Sequence, residues 1–361
     1  MIPAWKIRRE LLRFGQQLRA IPEALWEPVA QRRHDAAFER GFAVNHGAVA
    51  AAEKIALVLI WQPKGIAESL LETCKHLVAN GYAPFIVSNA KLLPDDRSKL
   101  FPYVWLMLER PNFGYDFGGY RDGLRQLDRM QLLPRRLVIL NDSIWYPLQS
   151  EDDSLARMEA SGADVVGTVL RVRGEERFLE SYFYSLPQST LRHAAFKTFW
   201  QDLRLTSNKY KVIRRGERGF SAAMRAAGLQ LVGLFDQKTF LTHVEKADDS
   251  TLRDILRYAA TMNPIDKAEA RQLSSGQAAD FAVNARALIV RMLRKGQFYS
   301  TFPIGAFRLM HYPVLKKSRE PASACWRAAY LGAVADGQLP PPSDSILHEA
   351  QAITDISSNT P

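Results

Sequence analysis

The sequence has 361 residues, of which 47% are hydrophobic and 24% are charged. This composition is sufficient for one sizeable core and argues against a disordered or fibrous chain. The two cysteines, Cys74 and Cys325, stand far apart, which argues against a disulfide framework and a cysteine-held zinc site. No apolar run approaches the roughly 20 residues that cross a bilayer, and no secretory signal opens the chain, so we expect a cytoplasmic protein.

The first part of the chain is predicted to be helical. Ile7, Leu11, Phe14 and Leu18 recur at helical spacing, and the basic residues around them fall mostly on the other faces. Such a helix either docks on the protein's own core, which we favour, or lies on a membrane surface. A second helix is predicted over residues 28–42.

From residue 54 onward, short apolar runs alternate with helical patterns. The predicted strands are 55–61, 84–88, 103–108, 136–140 and 164–169, and the predicted helices between them are 66–80, 120–130 and 154–160. This alternation predicts an α/β fold with a mostly parallel, Rossmann-like sheet flanked by helices, with additional N- and C-terminal helices. Ligands bind beyond the carboxyl ends of such strands, so the loops after Trp61, Leu108 and Leu140 are the candidates for a site.

The later elements are less regular. A strand is predicted over 178–186 and another over 229–235, with helices over 191–203, 219–227 and 279–294. The predicted organisation is an N-terminal helical extension (1–50), a nucleotide-sugar-binding core (51–250), a helical basic region (251–338) and a flexible tail (339–361). The tail is assigned on its content of Pro, Ser and Asp.

Most of the formal net charge of +10 lies in one segment. Residues 284–327 contain one acidic residue, Glu320, and nine basic ones: Arg286, Arg291, Arg294, Lys295, Arg308, Lys316, Lys317, Arg319 and Arg327. The segment is either a solvated basic face or a surface that attracts a polyanion or an anionic membrane. It contains no nucleic-acid recognition module, so we expect no nucleic-acid partner.

The loop after the third predicted strand is rich in glycine. Gly114 and Gly118 allow close approach of a ligand to the backbone, while Asn112 and Asp116 supply short polar groups. These four residues are predicted to bind the nucleotide of a donor. The alternative is a tight strand-to-helix turn in which Asp116 caps the helix.

The fourth predicted strand ends in Asn141, Asp142 and Ser143. A carboxylate at the end of an apolar strand is suited to hold a divalent metal, Mg²⁺ or Mn²⁺, against the diphosphate of a donor. We therefore predict Asp142 as a catalytic and metal-binding residue, with Asn141 and Ser143 as donor-binding residues. The alternative role of Asp142 is to cap a turn. The triplet contains a single carboxylate, which also leaves open a non-catalytic glycan- or membrane-binding protein.

Further candidate residues lie later in the chain. Glu217 is predicted as the catalytic base, with Arg214 and Arg215 beside the diphosphate, although a glutamate at a helix N-terminus also interacts favourably with the helix dipole. His243 is a candidate second metal ligand with Asp142, and a structural role for this lone histidine is favoured.

Two aromatic residues are candidates for acceptor binding. Tyr182 and Trp200 lie in an aromatic-rich region, where rings either stack on sugars or fill the core.

The sequence motifs of other enzyme classes are absent. The turn after the first predicted strand has no three-glycine dinucleotide fingerprint, and the chain contains neither a Walker sequence nor a Gly-x-Ser-x-Gly elbow.

An ordered set of motifs resembles the rhamnan synthesis F family over roughly residues 54–317. The motifs are Asn112-x-Gly114-x-Asp116-x-Gly118, Leu140-Asn141-Asp142-Ser143 with Pro147-Leu148, Glu180-Ser181-Tyr182-Phe183, Phe199-Trp200, Gly216-Glu217 and Tyr312-Pro313-Val314-Leu315-Lys316. The resemblance implies a fold of the glycosyltransferase A type. It also implies transfer of a sugar, often rhamnose, from a nucleotide-sugar onto a cell-surface polysaccharide or lipid-linked glycan. The sequence departs from the family pattern at Glu180, where a neutral residue is expected.

Overall fold

The computed structural model describes residues 26–276 and 279–358. The helix predicted around Ile7 to Leu18 lies outside them. The strands are β1 (Ala43–His46), β2 (Lys54–Ile60), β3 (Tyr82–Ser88), β4 (Leu106–Glu109), β5 (Arg136–Asn141), β6 (Ile144–Trp145), β7 (Val165–Arg173), β8 (Glu176–Leu179), β9 (Phe183–Pro187), β10 (Leu231–Phe235) and β11 (Leu315–Lys316).

Helices cover most of the remaining described chain. The first, α1, occupies residues 26–40. The others are α2 (Glu68–Ala79), α3 (Pro94–Leu100), α4 (Tyr115–Arg129), α5 (Ser154–Ala160), α6 (Gln188–Arg192), α7 (Ala194–Asp202), α8 (Lys209–Ile213), α9 (Gly219–Ala226), α10 (Gln237–Lys246), α11 (Asp249–Arg257), α12 (Pro264–Ser275), α13 (Phe281–Leu293), α14 (Phe298–Thr301), α15 (Pro303–Met310), α16 (Pro321–Ala335) and α17 (Asp344–Ser358). A π-helical turn, Arg214–Arg218, joins α8 to α9.

The main sheet has the strand order β1-β4-β3-β2-β5-β9-β7-β10, with β8 added beside β7. Strands β4, β3, β2 and β5 are parallel neighbours, and β5 lies on the opposite side of β2 from β3. The chain therefore changes winding direction between β2 and β5. A reversal of this kind leaves a crevice beyond the carboxyl ends of the two strands, where ligands bind in open α/β sheets.

The two faces of β2 bury different side chains. Val58 and its alternate neighbours pack with α2, whereas Leu57 and Leu59 pack under α4. Helix α4 approaches β2 unusually closely because it presents glycine there: a Cβ on Gly119 would lie 2.1 Å from Leu59 Cδ1, and one on Gly123 would lie 2.4 Å from Leu57 Cδ1. This contact fixes the start of α4, and the loop before it, against the end of β2.

The predicted α/β architecture, a mostly parallel sheet flanked by helices, is confirmed. Two predicted elements are divided in the structure. The strand predicted over 178–186 is the pair β8 and β9, and the helix predicted over 191–203 breaks at His193, whose side chain caps α7 by accepting from the Ala195 amide. Strand β1 was missed. It lies within the predicted helical extension and pairs with β4.

The flexible tail predicted over 339–361 is wrong for residues 344–358, which form α17. Ile346 and Ala350 are spaced one helical turn apart and are buried. Between them, Glu349 accepts hydrogen bonds from the Ser69 amide at 3.0 Å and from Trp145 Nε1 at 2.9 Å. The prolines that precede α17 dominated the composition and concealed this amphipathic pattern.

No helix in the described ranges is long and apolar enough to cross a bilayer.

Candidate functional site

The loops after β2, β4 and β5 meet at the crevice. The Trp61 amide, directly after β2, donates to Asp142 Oδ2 at 2.9 Å. Asn141 Nδ2, at the end of β5, donates to Asp116 Oδ2 at 3.1 Å. Since Leu59 and Asn141 are paired in register, the parallel sheet itself brings these segments together. The structure thus gathers Asp116, Asn141 and Asp142 at one edge of the sheet.

The Asn141 side chain organises the strand end on both sides. Its Oδ1 accepts from the Ser143 amide at 3.1 Å and also from the Ser143 hydroxyl. Its Nδ2 is directed at Asp116, on the first turn of α4. Asn141 therefore holds the turn after β5 closed while it orients a carboxylate from another element.

Glu217 approaches the same edge from the π-helical turn. Its Oε2 accepts from the Ser181 amide at 2.9 Å and from the Ser181 hydroxyl at 2.8 Å. The Ser181 carbonyl in turn accepts from the Tyr120 hydroxyl, on α4, at 2.9 Å. Gly216 lets the turn pack on α4, since a Cβ there would lie 2.4 Å from the Phe117 ring. A bulkier residue at this position would push Glu217 away from the crevice.

The three carboxyl groups are half-buried and interact electrostatically. Burial, together with the negative charges of Asp142 and Glu217, raises the pKa of Asp116 to about 6. Burial also raises the pKa of Asp142 and that of Glu217 above their ordinary values. Elevated pKa values in a crevice are typical of functional carboxylates.

A different lysine opposes each of these carboxylates. The charge of Lys209 lowers the pKa of Asp116, that of Lys317 lowers the pKa of Asp142, and that of Lys316 lowers the pKa of Glu217. Lys316 ends β11, which pairs antiparallel with β6 directly after the Asn141–Ser143 turn, and Lys317 follows it. Positive charges from the late part of the described chain thus act on two of the three carboxylates.

Some predicted donor residues shape the loop before α4. Gly114 adopts a φ of +82°, which favours glycine, and precedes the first residue of the helix. A Cβ on Gly118 would lie 2.1 Å from the carbonyl oxygen of Phe113, so this glycine serves the tight turn. Asn112 is exposed at the rim. Sequence reasoning missed the buried Arg110, whose guanidinium bonds to the Phe113 carbonyl and to Asn89 Oδ1 and so holds the loop.

Other predicted residues lie away from solvent or face other partners. Trp200 is buried, and its ring stacks on Phe117 with centroids 5.7 Å apart. Tyr182 is also buried, with its hydroxyl 2.7 Å from that of Tyr312. Arg215 Nη1 donates to Glu27 Oε2 of α1 at 2.9 Å. Arg214 is exposed on the π-helical turn. The structure does not bring these side chains together with the three carboxylates.

The residues at the crevice are a poor match for a Mg²⁺ or Mn²⁺ ion held by the protein alone. Such ions take several oxygen ligands, yet the turn after β5 offers one carboxylate, Asp142, whose Oδ2 already accepts from the Trp61 amide, and Asn141 Oδ1 already accepts from Ser143. His243 is exposed on α10. Within the described ranges, no three or more His, Cys, Asp or Glu side chains converge as a metal-binding group.

The basic C-terminal segment is not one solvated face. Most of its basic side chains are held by acidic or carbonyl partners: Arg286 by the Ala247 carbonyl, Arg291 by Glu269 and Asp266, Arg308 by Asp254 and Gln338, Arg327 by the Lys316 and Ser318 carbonyls, and Lys316 and Lys317 by Glu180 and Glu349. The partners come from distant parts of the chain, so a local charge count concealed them. Arg294, Lys295 and Arg319 remain exposed.

Comparison with known proteins gives a family match over part of the chain. Residues 85–262, which are 178 of the 361 residues, match the model of the family described as rhamnan synthesis protein F, so the expected resemblance is confirmed over that segment. A protein of Sinorhizobium fredii, named "Uncharacterized protein y4gN", is 29% identical over 341 residues, which cover 92% of this chain and 88% of that protein.

A solved structure is distantly similar. It is the mannosyltransferase PcManGT from Pyrobaculum calidifontis in complex with GDP-mannose and Mn²⁺, which is 12% identical and has a TM-score of 0.32, with 89% of this chain and 97% of that chain covered. A TM-score of this size is too low to transfer a fold or a ligand to the present chain.

Proposed function

We propose that the crevice between β2 and β5 transfers a sugar from a nucleotide-sugar to a glycan hydroxyl. The match of residues 85–262 to the rhamnan synthesis protein F family supports this. The observation that supports this most directly is the convergence of Asp116, Asp142 and Glu217 at a topological switch point. Three functional carboxylates placed by three different elements indicate a reaction centre and not a structural turn.

The donor is assigned to the Trp61–Asp142 side of the crevice. The Trp61 side chain is 58% exposed, although it directly follows a buried strand, and an exposed ring at this edge is suited to stack on a nucleobase. Asp142 anchors the Trp61 backbone and presents its carboxylate to hydroxyl groups of the ribose or the donor sugar. Its proposed catalytic role is thus to position the donor.

Glu217 is assigned as the general base. Among the described residues, both hydrogen bonds to this carboxylate fall on Oε2, and Oε1 is the oxygen that takes the proton. As the acceptor oxygen forms its bond to the anomeric carbon, its proton passes to Glu217. The bond between the anomeric carbon and the diphosphate breaks, and the nucleoside diphosphate leaves with the electron pair. A pKa raised by burial makes the carboxylate a stronger base.

The finer specificity is proposed from the family resemblance. The resemblance implies rhamnose as the transferred sugar and a surface polysaccharide or its lipid-linked precursor as the acceptor. A lipid-linked acceptor would place the reaction at the inner face of the cytoplasmic membrane. The exposed residues Arg294, Lys295 and Arg319 are the basic side chains that remain to contact an anionic lipid surface there.

A nucleotide-release assay with the full chain tests the proposal. The donors are UDP-, GDP- and dTDP-linked sugars, including dTDP-rhamnose, each with and without a rhamnose-containing oligosaccharide acceptor. We expect release that depends on the acceptor and that is lost in Asp142→Asn but kept in Lys246→Gln, a change on the exposed face of α10. Binding of a donor without turnover would favour the non-catalytic alternative. Absence of both binding and turnover would reject the proposed function.

A further inference from the structure

Two consecutive lysines at the end of β11 have different surroundings. Lys316 Nζ lies 4.7 Å over the Tyr182 ring and 3.8 Å from Glu180 Oε2, among buried groups. Lys317 directly follows the strand, and its Nζ donates to Ser69 Oγ at 3.0 Å. The charge of Lys317 acts on Asp142, whereas that of Lys316 acts on Glu217.

Backbone pairing fixes the position of Lys317. Its amide donates to the Ser143 carbonyl at 2.8 Å, so the residue is tied to the turn that contains Asp142. The ammonium also lies 3.6 Å from Glu349 Oε2 and 5.4 Å from the centre of the Trp145 ring. Burial lowers the pKa of Lys317, and the charges of Glu349 and Asp142 oppose this shift. The backbone pairing and the Glu349 contact thus fix the ammonium group close to the turn after β5.

A departing diphosphate requires positive charge, because its negative charge grows as the glycosidic bond breaks. Many transferases supply that charge with a metal held by two or more carboxylates. Here Asp142 is the single acid of its turn, its Oδ2 already accepts from the Trp61 amide, and the positive charge of Lys317 acts on it. The side chains around Asp142 disfavour a divalent metal ion at this position, because they already include a positively charged lysine.

We propose that Lys317 supplies the positive charge for the diphosphate leaving group, in place of a divalent metal. The inference rests on the proposed function of the crevice. The Lys317 ammonium stays protonated throughout: it donates hydrogen bonds to the diphosphate oxygens, while the proton of the acceptor goes to Glu217. The closing strand β11 is then part of the active site, and the chain needs no metal to bind a nucleoside diphosphate.

Binding measurements separate this role from a structural one. Isothermal titration calorimetry of the full chain with UDP, GDP and dTDP, and with the matching nucleosides, is carried out in EDTA and again in excess MnCl₂. We expect one diphosphate to bind equally well in both buffers. Lys317→Gln should weaken its binding by about ten- to a hundred-fold, as expected for the loss of charge-assisted hydrogen bonds, and leave the nucleoside unaffected. Lys317→Arg should retain most of the affinity.

Two further variants control for packing and for charge. Glu349→Gln removes the carboxylate that holds Lys317 beside α17 but keeps the lysine, so its diphosphate affinity should stay within about two-fold of the wild type. If Glu349→Gln instead matches Lys317→Gln, the lysine serves only to dock α17, and the inference fails. Lys246→Gln removes the same charge from an exposed helix and should have no effect. Thermal melting of each variant reports whether it is folded.

Metal dependence of the wild type gives a test that needs no variant. Diphosphate binding that appears only with Mn²⁺ would overturn the role of Lys317 while the proposed transferase function would stand. If neither the diphosphates nor the nucleotide-sugars bind in either buffer, the proposed function itself fails, and the inference fails with it.

Discussion

Ser181 holds the Glu217 carboxylate with both its amide, at 2.9 Å, and its hydroxyl, at 2.8 Å. The serine lies in the short connection between β8 and β9, and its carbonyl is itself fixed by Tyr120 of α4. A carboxylate on a π-helical turn is in this way locked to the sheet and to the helix that carries Asp116. The geometry of the proposed base is therefore set by three elements.

Glu217→Gln should abolish proton transfer without loss of donor binding. We expect kcat to fall by about 10²- to 10⁴-fold, the usual contribution of a general base, with the donor dissociation constant nearly unchanged. Steady-state kinetics combined with calorimetry would separate the two effects. Glu175→Gln, a change at an exposed glutamate, is the matched control. Wild-type turnover in Glu217→Gln would remove this residue from the mechanism.

Asp116 should make stability depend on pH. Its pKa is about 6 in the folded protein against an ordinary value of 3.8, so the folded state binds the proton more tightly. The contribution of Asp116 to the free energy of unfolding is therefore most favourable below about pH 4, and it decreases as the pH rises from 4 to 6. Asp116→Asn should raise the free energy of unfolding at pH 7.5 by roughly 1–3 kcal/mol.

The stability effect of Asp116→Asn has a built-in control. Chemical denaturation of both proteins at about pH 3 should give nearly equal free energies of unfolding, because Asp116 is largely protonated there in both the folded and the unfolded state. An equal gain at both pH values would show that the substitution acts through packing and not through charge. No gain at pH 7.5 would show that the burial of this carboxylate costs little.

A buried ion pair beside the loop before α4 should contribute strongly to the free energy of unfolding. Arg110 Nε donates to Asp122 Oδ2 at 2.6 Å, and His34 Nε2 lies 2.7 Å from the same oxygen, with these side chains almost fully enclosed. Asp122→Ala leaves the guanidinium buried without its carboxylate, so we expect a loss of about 3–5 kcal/mol. Asp128→Ala, on the exposed face of the same helix, should change stability by less than about 0.5 kcal/mol. Urea denaturation that ranks the two variants equally would contradict this expectation.

Trp61 should contribute to the affinity for the nucleobase. Trp61→Ala keeps the backbone amide that binds Asp142 but removes the ring, so donor binding should weaken by about 1–3 kcal/mol. Trp61→Phe retains an aromatic face and should recover most of this loss. The readout is calorimetry with the nucleoside alone, since the base is the part that stacks. Equal nucleoside affinity in all three proteins would place the base elsewhere.

The sheet edge was predictable because buried parallel strands are long apolar runs. The runs that end at Trp61, Leu108 and Leu140 marked three strand ends, and parallel packing required the residues after them to meet. The contact between Asn141 and Asp116 follows from that topology. Local spacing sufficed here, since each polar residue directly follows the element that positions it.

Contacts between distant parts of the chain were not predictable from one sequence. Lys317 directly follows a two-residue strand, β11, which is too short to give a periodic signal. In a sequence, a core tryptophan such as Trp200 looks the same as a tryptophan that binds a sugar. The difference appears only in the folded structure, where the ring of Trp200 packs against Phe117. The family-like motif that ends at Lys316 was the available signal that this region belongs to the site.

The hydrogen bonds between Ser69 and Glu349 join residues 280 positions apart. Lys317 donates to that same serine, so the crevice is assembled from the early and the late parts of the described chain. During synthesis, a ribosome-bound chain that has emerged as far as residue 300 already contains Trp61, Asp116, Asp142 and Glu217, but it lacks the strand that brings the ammonium group. If Lys317 has the proposed role, a nascent chain at this stage lacks the cation for the diphosphate, and donor binding should begin only after β11 has emerged and paired with β6.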